Sequence, residues 1–469
     1  MDDPRDVPPV HAAEVQALRC ADCARAESTD PTAVPVDRMP IPADALAGFP
    51  DGVPRARGMD RRAFLRNGIL GVASIYAATR IDWTRAFEAA VAEAADPANQ
   101  LVMIYLNGGL DGINVFVPND PAEYAAYQAA RPDLHRALNT PSVAGGRVGS
   151  TAAANANVSF ANLVVSGTGN NGDTKGLDTL WGDGTGGAGS DLAYWPGVHF
   201  LPANQSHFEA TDHIFTGSLR KVTTGWLGRW LDAYGSTSNP LQAVSIGNAL
   251  SKQIRTASAP TCAVASLGNF GFSVSGVSSA DADVNAEVGR LVGAPAGTEA
   301  LARSRGVYGL TVNVAGQLRA VAAPGANPDY PASSLSDRLK TAATILAAGL
   351  GTRVVTIDWG SFDTHGGQAG GMDPQLPILS RALAAFRNDL AARGIEQRVI
   401  TVVFTEFGRR VAENGSDGTD HGAGGPCIII GSRVRGGMAG AHPSLTSLDR
   451  GNLRVTTDFR TIWGAIVGD

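Results

Sequence analysis

Nowhere does this chain carry a block of lysine and arginine long enough to follow a phosphodiester backbone. Its 38 Lys+Arg against 44 Asp+Glu leave a formal charge of -6. That balance argues against nucleic acid as a partner. Charge of either sign is scarce, at 17% of residues, while glycine is frequent, at 57 residues. Many loops and a surface of Ser, Thr, Asn and Ala follow, a composition that suits an exported protein. No apolar run approaches the roughly 20 residues needed to cross a bilayer, so no transmembrane span is expected. Cysteine is nearly missing, at four residues. Cys20 and Cys23 stand as "CADC" near His11, where zinc binding would need a second pair that the sequence does not offer. Cys262 and Cys427 are either free or bridged, according to whether the fold brings them together. What is abundant is core material, with 44% hydrophobic residues over 469 positions, enough for one large domain or two ordinary ones.

The stretch "MDRRAFLRNGILGVASIYAA", residues 59–78, sets Arg61 and Arg62 before Phe64, Leu65 and Arg66 and then a short, weakly apolar run. This pattern reads as a twin-arginine export signal; the alternative is an amphipathic helix with a basic start. Export by that route makes the twin-arginine translocase a partner and places the protein in the periplasm, on the cell surface or outside the cell. It also carries proteins already folded, often around a metal. The preceding Pro-rich residues 1–58 are expected to be a disordered extension or the result of a mis-set start at Met1 rather than Met59. Residues 59–99 then form signal and linker, with "AEA" at 92–94 having the form of a cleavage site.

The globular part begins at Gln100. "LVMIYLNGGLDGINVFVP" reads as a buried strand running into a glycine turn, followed by a helical patch near Ala122–Ala130. Residues 145–189, rich in Gly, Asn and Thr, read as a loop insertion. "LPANQSHFEATDHIFTG" and "GWLGRWLDAYG" read as helices and "LQAVSIG" as a strand. Residues 258–329 break into short pieces with two helices, a peripheral subdomain. Ser334 is expected to cap a helix through Leu346 that ends at Gly349 and Gly351. Strand "RVVTIDWG", helix "ILSRALAAFRNDLAARG", strand "RVITVVFTEFG" and strand "CIIIG" follow. Strands alternating with helices predict an α/β fold, a doubly wound, mostly parallel sheet with helices on both faces.

In such sheets ligands bind beyond the carboxyl ends of the strands. The ionisable residues of this chain gather there. Asp111 follows the first strand, Asp358, Asp363 and His365 follow "RVVTI", Glu406 closes the next strand, and Asp420 with His421 precede "CIIIG". So many carboxylates on one rim would repel one another unless a cation sat among them. Oxygen mixed with imidazole nitrogen suits one or two divalent ions of zinc, manganese or iron better than calcium. Each residue taken singly also has a plainer reading, Asp111 and Asp363 as turn formers, Glu406 as a partner of Arg409 or Arg410. Ser206 and Glu209 have the spacing of a capping box. A serine at a helix start could also serve as a nucleophile facing an anion, and His207 beside it could bind metal or the ester as part of the catalytic group.

"LVMIYLNGGLDGINVFVP", "SHFEATDH", "WGSFDTHGGQ", "FTEFGRRVAENGSDGTDHG" and "TTDFRTIWGAI" resemble, in order, the signature stretches of the bacterial exported family called domain of unknown function 1501. The resemblance covers residues 100–469. That family is similar to the alkaline phosphatase superfamily, with its sulfatases, phosphodiesterases and cofactor-independent phosphoglycerate mutases. The resemblance implies an alkaline phosphatase-like sheet, a metal pair at the strand ends and a nucleophile at a helix start. It implies Asp111 as a metal-bridging aspartate, Asp363 and His365 as ligands of one metal, and Glu406, Asp420 and His421 near the other. Phe407 stands where the superfamily has a second histidine, which departs from a full two-metal set. No Cys or Ser in a sulfatase maturation pattern is present. The expected function is an exported, metal-dependent hydrolase of phosphate or sulfate esters acting on an anionic substrate. The alternative is an exported binding or assembly protein on the same fold with little turnover.

Overall fold

The computed structural model describes residues 99–118, 120–136, 158–160, 176–181, 191–267, 281–320 and 329–468. The twin arginines, the "CADC" pair, the "AEA" site and most of residues 145–189 lie outside the described residues.

Strand β1 (Gln100–Leu106) is apolar on both sides because both its faces are covered. Val102, Ile104 and Leu106 point into a core shared with α6 (Ser334–Ala347) and α7 (Gln375–Ala392). Leu101, Met103 and Tyr105 point into the opposite core, against α2 (His207–Thr216), α3 (Trp226–Tyr234) and α8 (Phe459–Gly468). The period of two along one strand thus divides the molecule into two helix layers around a sheet.

The nine-stranded sheet is mixed and mostly parallel. Strand β1 lies between β7 (Val354–Trp359) and β8 (Val399–Phe404), both parallel to it, and β5 (Ala243–Ile246) and β6 (Cys262–Val264) continue the parallel set beyond β7. On the other side β9 (Gly425–Ile430) runs antiparallel to β8, and β4 (Leu192–His199) runs antiparallel to β9. Two reversals restore the original direction. Strand β4 therefore ends at the same rim as β1, β7 and β8, with Val198 opposite Gly425 while Phe404 pairs with Cys427.

Three expectations are corrected. Strand β4 is not read from its sequence because Pro196 and Gly197 interrupt it; they fall where its register shifts between Trp195 and Val198, the position at which a strand tolerates proline. Residues 258–329 are not wholly peripheral: Cys262–Val264 pairs in parallel with β5 as a strand of the main sheet. Of the two helices that follow, α4 (Asp281–Val292) and α5 (Glu299–Ala320), the second contributes Val314, Ala315 and Leu318 to the main core. The cap of α6 is Ser333, whose hydroxyl accepts the Ser336 N–H at 3.1 Å, one residue before the expected Ser334. Cys262 and Cys427 are free and buried, which pushes both thiols up to about 12.

The loop after β1 is fixed by a buried ion pair. Arg131, the residue that ends α1 (Pro121–Ala130), holds Asp111 by both carboxylate oxygens, at 2.5 and 3.1 Å. The same guanidinium donates to Asn114 Oδ1 at 2.7 Å and to the carbonyls of Arg410 and Val411 at 2.9 and 2.7 Å. Arg131 is wholly buried and Asp111 nearly so. Removing one member of such a pair strands a charge in the core. Arg131→Met is expected to lower unfolding free energy by about 3–5 kcal/mol in urea melts. Adding Asp111→Asn to it should recover a large part of that loss; a single variant as stable as the native protein would show that the pair is not needed.

Candidate metal centre

Four chain segments leave the sheet at one rim: residues 107–111 after β1, 200–207 after β4, 360–368 after β7 and 405–424 after β8. Gly108 lets two of them touch. Its φ is +109°, and a Cβ there would lie 2.4 Å from the Asp363 amide nitrogen, so only glycine fits between the loops. Gly109 likewise lies under the Phe407 ring. Arg409, buried like Arg131, then binds the loops together. It donates to the carbonyls of Gly108, Gly109 (2.9 Å), Phe362 (3.0 Å) and Thr419 (2.8 Å), and to Asp363 Oδ1 at 2.6 Å.

Around Asp363 three imidazoles converge. His207 Nε2 is 3.3 Å from Oδ2, while His365 Nε2 and His421 Nε2 are 3.0 and 3.1 Å from Oδ1. The two latter nitrogens are 2.9 Å apart. Ligand atoms of His207, Asp363 and His421 all lie within 4.8 Å of one another, the arrangement of a group that could hold a metal ion. The donor chemistry fits a cation. His207 Nε2 is buried and, despite its closeness to Asp363, makes no hydrogen bond. His421 Nδ1 must donate to the Gln205 carbonyl at 2.8 Å, so its lone pair is on Nε2, facing the cluster. Two imidazole nitrogens and a carboxylate with solvent access on one side, Asp363 being 38% exposed, suit zinc, iron or manganese rather than calcium.

The charges are set by the same contacts. Burial pushes the Asp363 carboxyl up, but its close contacts with His207, His365, His421 and the Arg409 guanidinium outweigh it and hold the group far below the usual carboxylate range. Glu406 is also held low, against its burial, by the His207 hydrogen bond and charge. Burial lowers the His207 imidazole, yet the two carboxylates beside it, Asp363 in close contact and Glu406 in a hydrogen bond, outweigh it and raise it to about 9. His421 is shifted down by burial, with Asp363 opposing and the Arg409 and His207 charges adding to the shift. One imidazole is thus charged and its neighbour neutral.

The remaining sequence candidates take other places. Asp111 lies outside the converging group. Its carboxylate is taken by Arg131 and by Gln368 Nε2 at 2.5 Å, which corrects its reading as a metal-bridging aspartate. Glu406 is fully buried and does not converge with the ligand atoms either; its Oε1 is 2.6 Å from His207 Nδ1. It is not the partner of Arg409 or Arg410. Asp420 stands at the edge, 3.3 Å from His365 Nδ1. Asp358 is elsewhere on the rim, lining a cavity of about 200 Å³ with Ser245, Asn248, Arg338 and Thr356. Ser206 is the residue before α2, but its side chain makes no cap hydrogen bond, so the capping box is not formed. Asn204 does that work instead, accepting the Ser206 N–H at 2.8 Å and donating to Glu209. Phe407, buried, packs at a tilt with its ring centroid 4.8 Å from that of His207 and 4.6 Å from that of His421, a wall to the cluster. Arg409 as the partner of Asp363, and Gln205 as the support of His421, have no sequence signal beyond an arginine in an apolar, glycine-rich turn.

Coordination through His207 Nε2 requires that nitrogen to lose its proton. Since the metal-free imidazole is raised to about 9, it is charged below that pH and a metal must displace the proton; above it, no proton is displaced. Metal affinity is therefore expected to climb about tenfold per pH unit from neutrality toward pH 9 and then flatten. Competition with a chromophoric chelator at stepped pH measures this, and an affinity already flat above pH 7 would show that metal displaces no raised proton from His207.

No curated protein matches the chain. The model of a family described as "Protein of unknown function (DUF1501)" matches residues 317–458, the stretch that carries Asp363, His365, Glu406, Asp420 and His421 but neither Asp111 nor His207. Over that stretch the chain is similar to the DUF1501 family.

Proposed function

We propose that the protein is an exported, metal-dependent hydrolase of phosphate or sulfate esters built on an alkaline phosphatase-like fold. The observation that carries this reading is the convergence of His207, Asp363 and His421 at the carboxyl rim, with a buried imidazole nitrogen that has no hydrogen-bond partner. Those three residues would hold one divalent ion of the zinc, manganese or iron class, with His365 beside them. The ion would supply Lewis-acid polarisation of an ester oxygen. The chain supplies the rest. Ser206 precedes the first turn of α2, where amide groups not used by the helix attract an anionic ester, and its hydroxyl is not committed to capping. Arg409 keeps Asp363 ionised and in place, and His421, neutral, leaves Nε2 open on the same side. Ser206 Oγ is the proposed nucleophile on phosphorus or sulfur: its bond to that atom forms as the bond to the departing alcohol oxygen breaks. Its proton passes to solvent while the alkoxide takes one from solvent, and water then displaces the serine oxygen to release phosphate or sulfate and restore the hydroxyl.

A second reading, a metal-holding binding or assembly protein, is favoured by Phe407, an apolar ring packed beside both His207 and His421 that offers no further ligand. Metal content followed by a screen of aryl phosphates, phosphodiesters and aryl sulfates separates the two. His421→Ala is expected to lose bound metal and turnover together. Ser206→Ala is expected to keep metal and to change stability by less than about 0.5 kcal/mol, since no cap bond is lost, while kcat falls about a thousandfold or more. A Ser206→Ala enzyme of native rate removes the nucleophile, and a metal-loaded native protein inert to every ester class leaves the binding reading.

The export half of the proposal rests on Arg61 and Arg62 ahead of a short apolar run. Among the described residues no helix is long and apolar enough to cross a membrane. Arg61→Lys with Arg62→Lys should strand the precursor in the cytoplasm, followed by cell fractionation; normal export of the double variant would overturn the route.

A further inference from the structure

Each of the three imidazoles around Asp363 has its outer nitrogen next to an oxygen, but the three oxygens differ in kind. His421 Nδ1 meets a neutral backbone carbonyl, that of Gln205. His365 Nδ1 is 3.3 Å from Asp420, a half-exposed carboxylate that also takes the Asn414 amide at 3.0 Å. His207 Nδ1 is 2.6 Å from Glu406, a carboxylate with no solvent exposure. The oxygens of Glu406 are already used. Oε1 accepts the Gly108 N–H at 2.9 Å as well as facing His207, and Oε2 accepts the Thr405 hydroxyl at 2.8 Å. Thr405 Oγ1 in turn accepts the Leu110 N–H at 3.1 Å. A side chain held by two loop amides and a hydroxyl, directly or through that hydroxyl, cannot swing toward Asp363 without breaking the contact between the loops after β1 and β8.

We infer that Glu406 acts as the buried anchor of His207 and not as a metal ligand. Its carboxylate fixes the proton on Nδ1 and leaves Nε2, the unpartnered nitrogen, free to bind a divalent cation. A charged acceptor on the outer nitrogen makes the ligating nitrogen a stronger donor and removes the freedom of the ring to turn away. Of the three anchors only this one combines full charge with full burial, so it carries the largest share of the affinity. The inference rests on the reading of this cluster as a metal centre.

Cobalt(II) titration of the purified protein, followed by visible absorption, tests it without reference to activity. Glu406→Gln keeps the shape and an acceptor oxygen but loses the charge. It is expected to bind cobalt about 10- to 100-fold more weakly and to reach the same saturating spectrum, because the ligands are unchanged. Asp420→Asn, at an exposed anchor, should weaken binding no more than about fivefold. A Glu406→Gln spectrum with altered band positions would mean that Glu406 is a ligand, and unaltered affinity would mean that it is no anchor; either overturns the inference while leaving the centre standing. Wild-type protein that takes up no cobalt overturns the centre itself. Should Glu406→Gln fail to fold, nitrogen-15 spectra of zinc-loaded wild type decide: a proton on His207 Nδ1 is expected, and zinc bound to Nδ1 refutes the assignment.

Discussion

Two buried guanidinium groups hold the rim of this sheet in one arrangement. A buried charge must be met by a countercharge or by oriented dipoles, and an arginine presents its donors in a fixed planar fork. Arg131 gathers Asp111, Asn114 and the carbonyls of Arg410 and Val411. Arg409 gathers Asp363 and the carbonyls of Gly108, Gly109, Phe362 and Thr419. Between them they tie together the loops that follow β1, β7 and β8. Gln368 joins the two systems from the third side, donating to Asp111 and accepting from Thr364 and Thr419. Loops rich in glycine and polar residues have little apolar surface to pack; here their positions come from polar contacts that leave few alternatives.

That arrangement sets the electrostatics of the cluster. Asp363 is ionised because Arg409 donates to it and three imidazoles crowd around it, and its charge, with that of Glu406, raises His207. Protonated His207 balances in the metal-free protein what a divalent ion would balance in the loaded one. The exposed edge of Asp363 faces solvent, whereas Glu406 and His421 are shut in. A cation entering from that side would meet the carboxylate first and the imidazoles behind it.

The acidic residues that the sequence sets at strand ends are divided by role in the structure. Asp363, His365 and His421 meet at one point, where His207 joins them. Asp111 and Glu406, equally prominent in the sequence, are claimed by Arg131 and His207, because an acid that is buried takes the nearest strong donor. Phe407 packs against the cluster and adds no ligand to it.

Sequence alone determined the layered α/β architecture, since alternating apolar strands and amphipathic helices can bury their faces in few ways, and it determined that Asp363, His365 and His421 lie at strand ends. These are local properties of spacing and composition. Only the tertiary structure decided the direction of the sheet on its β9 side and hence the place of His207. Strand β4, hidden by Pro196 and Gly197, returns to the common rim after two antiparallel pairings and delivers residues 200–207 there. It also decided which of two adjacent arginines, Arg409 or Arg410, turns inward, and which acid each buried cation neutralises. Pairings between residues tens to hundreds of positions apart depend on loop geometry and on competition among donors, and neither is written in the spacing of a single chain.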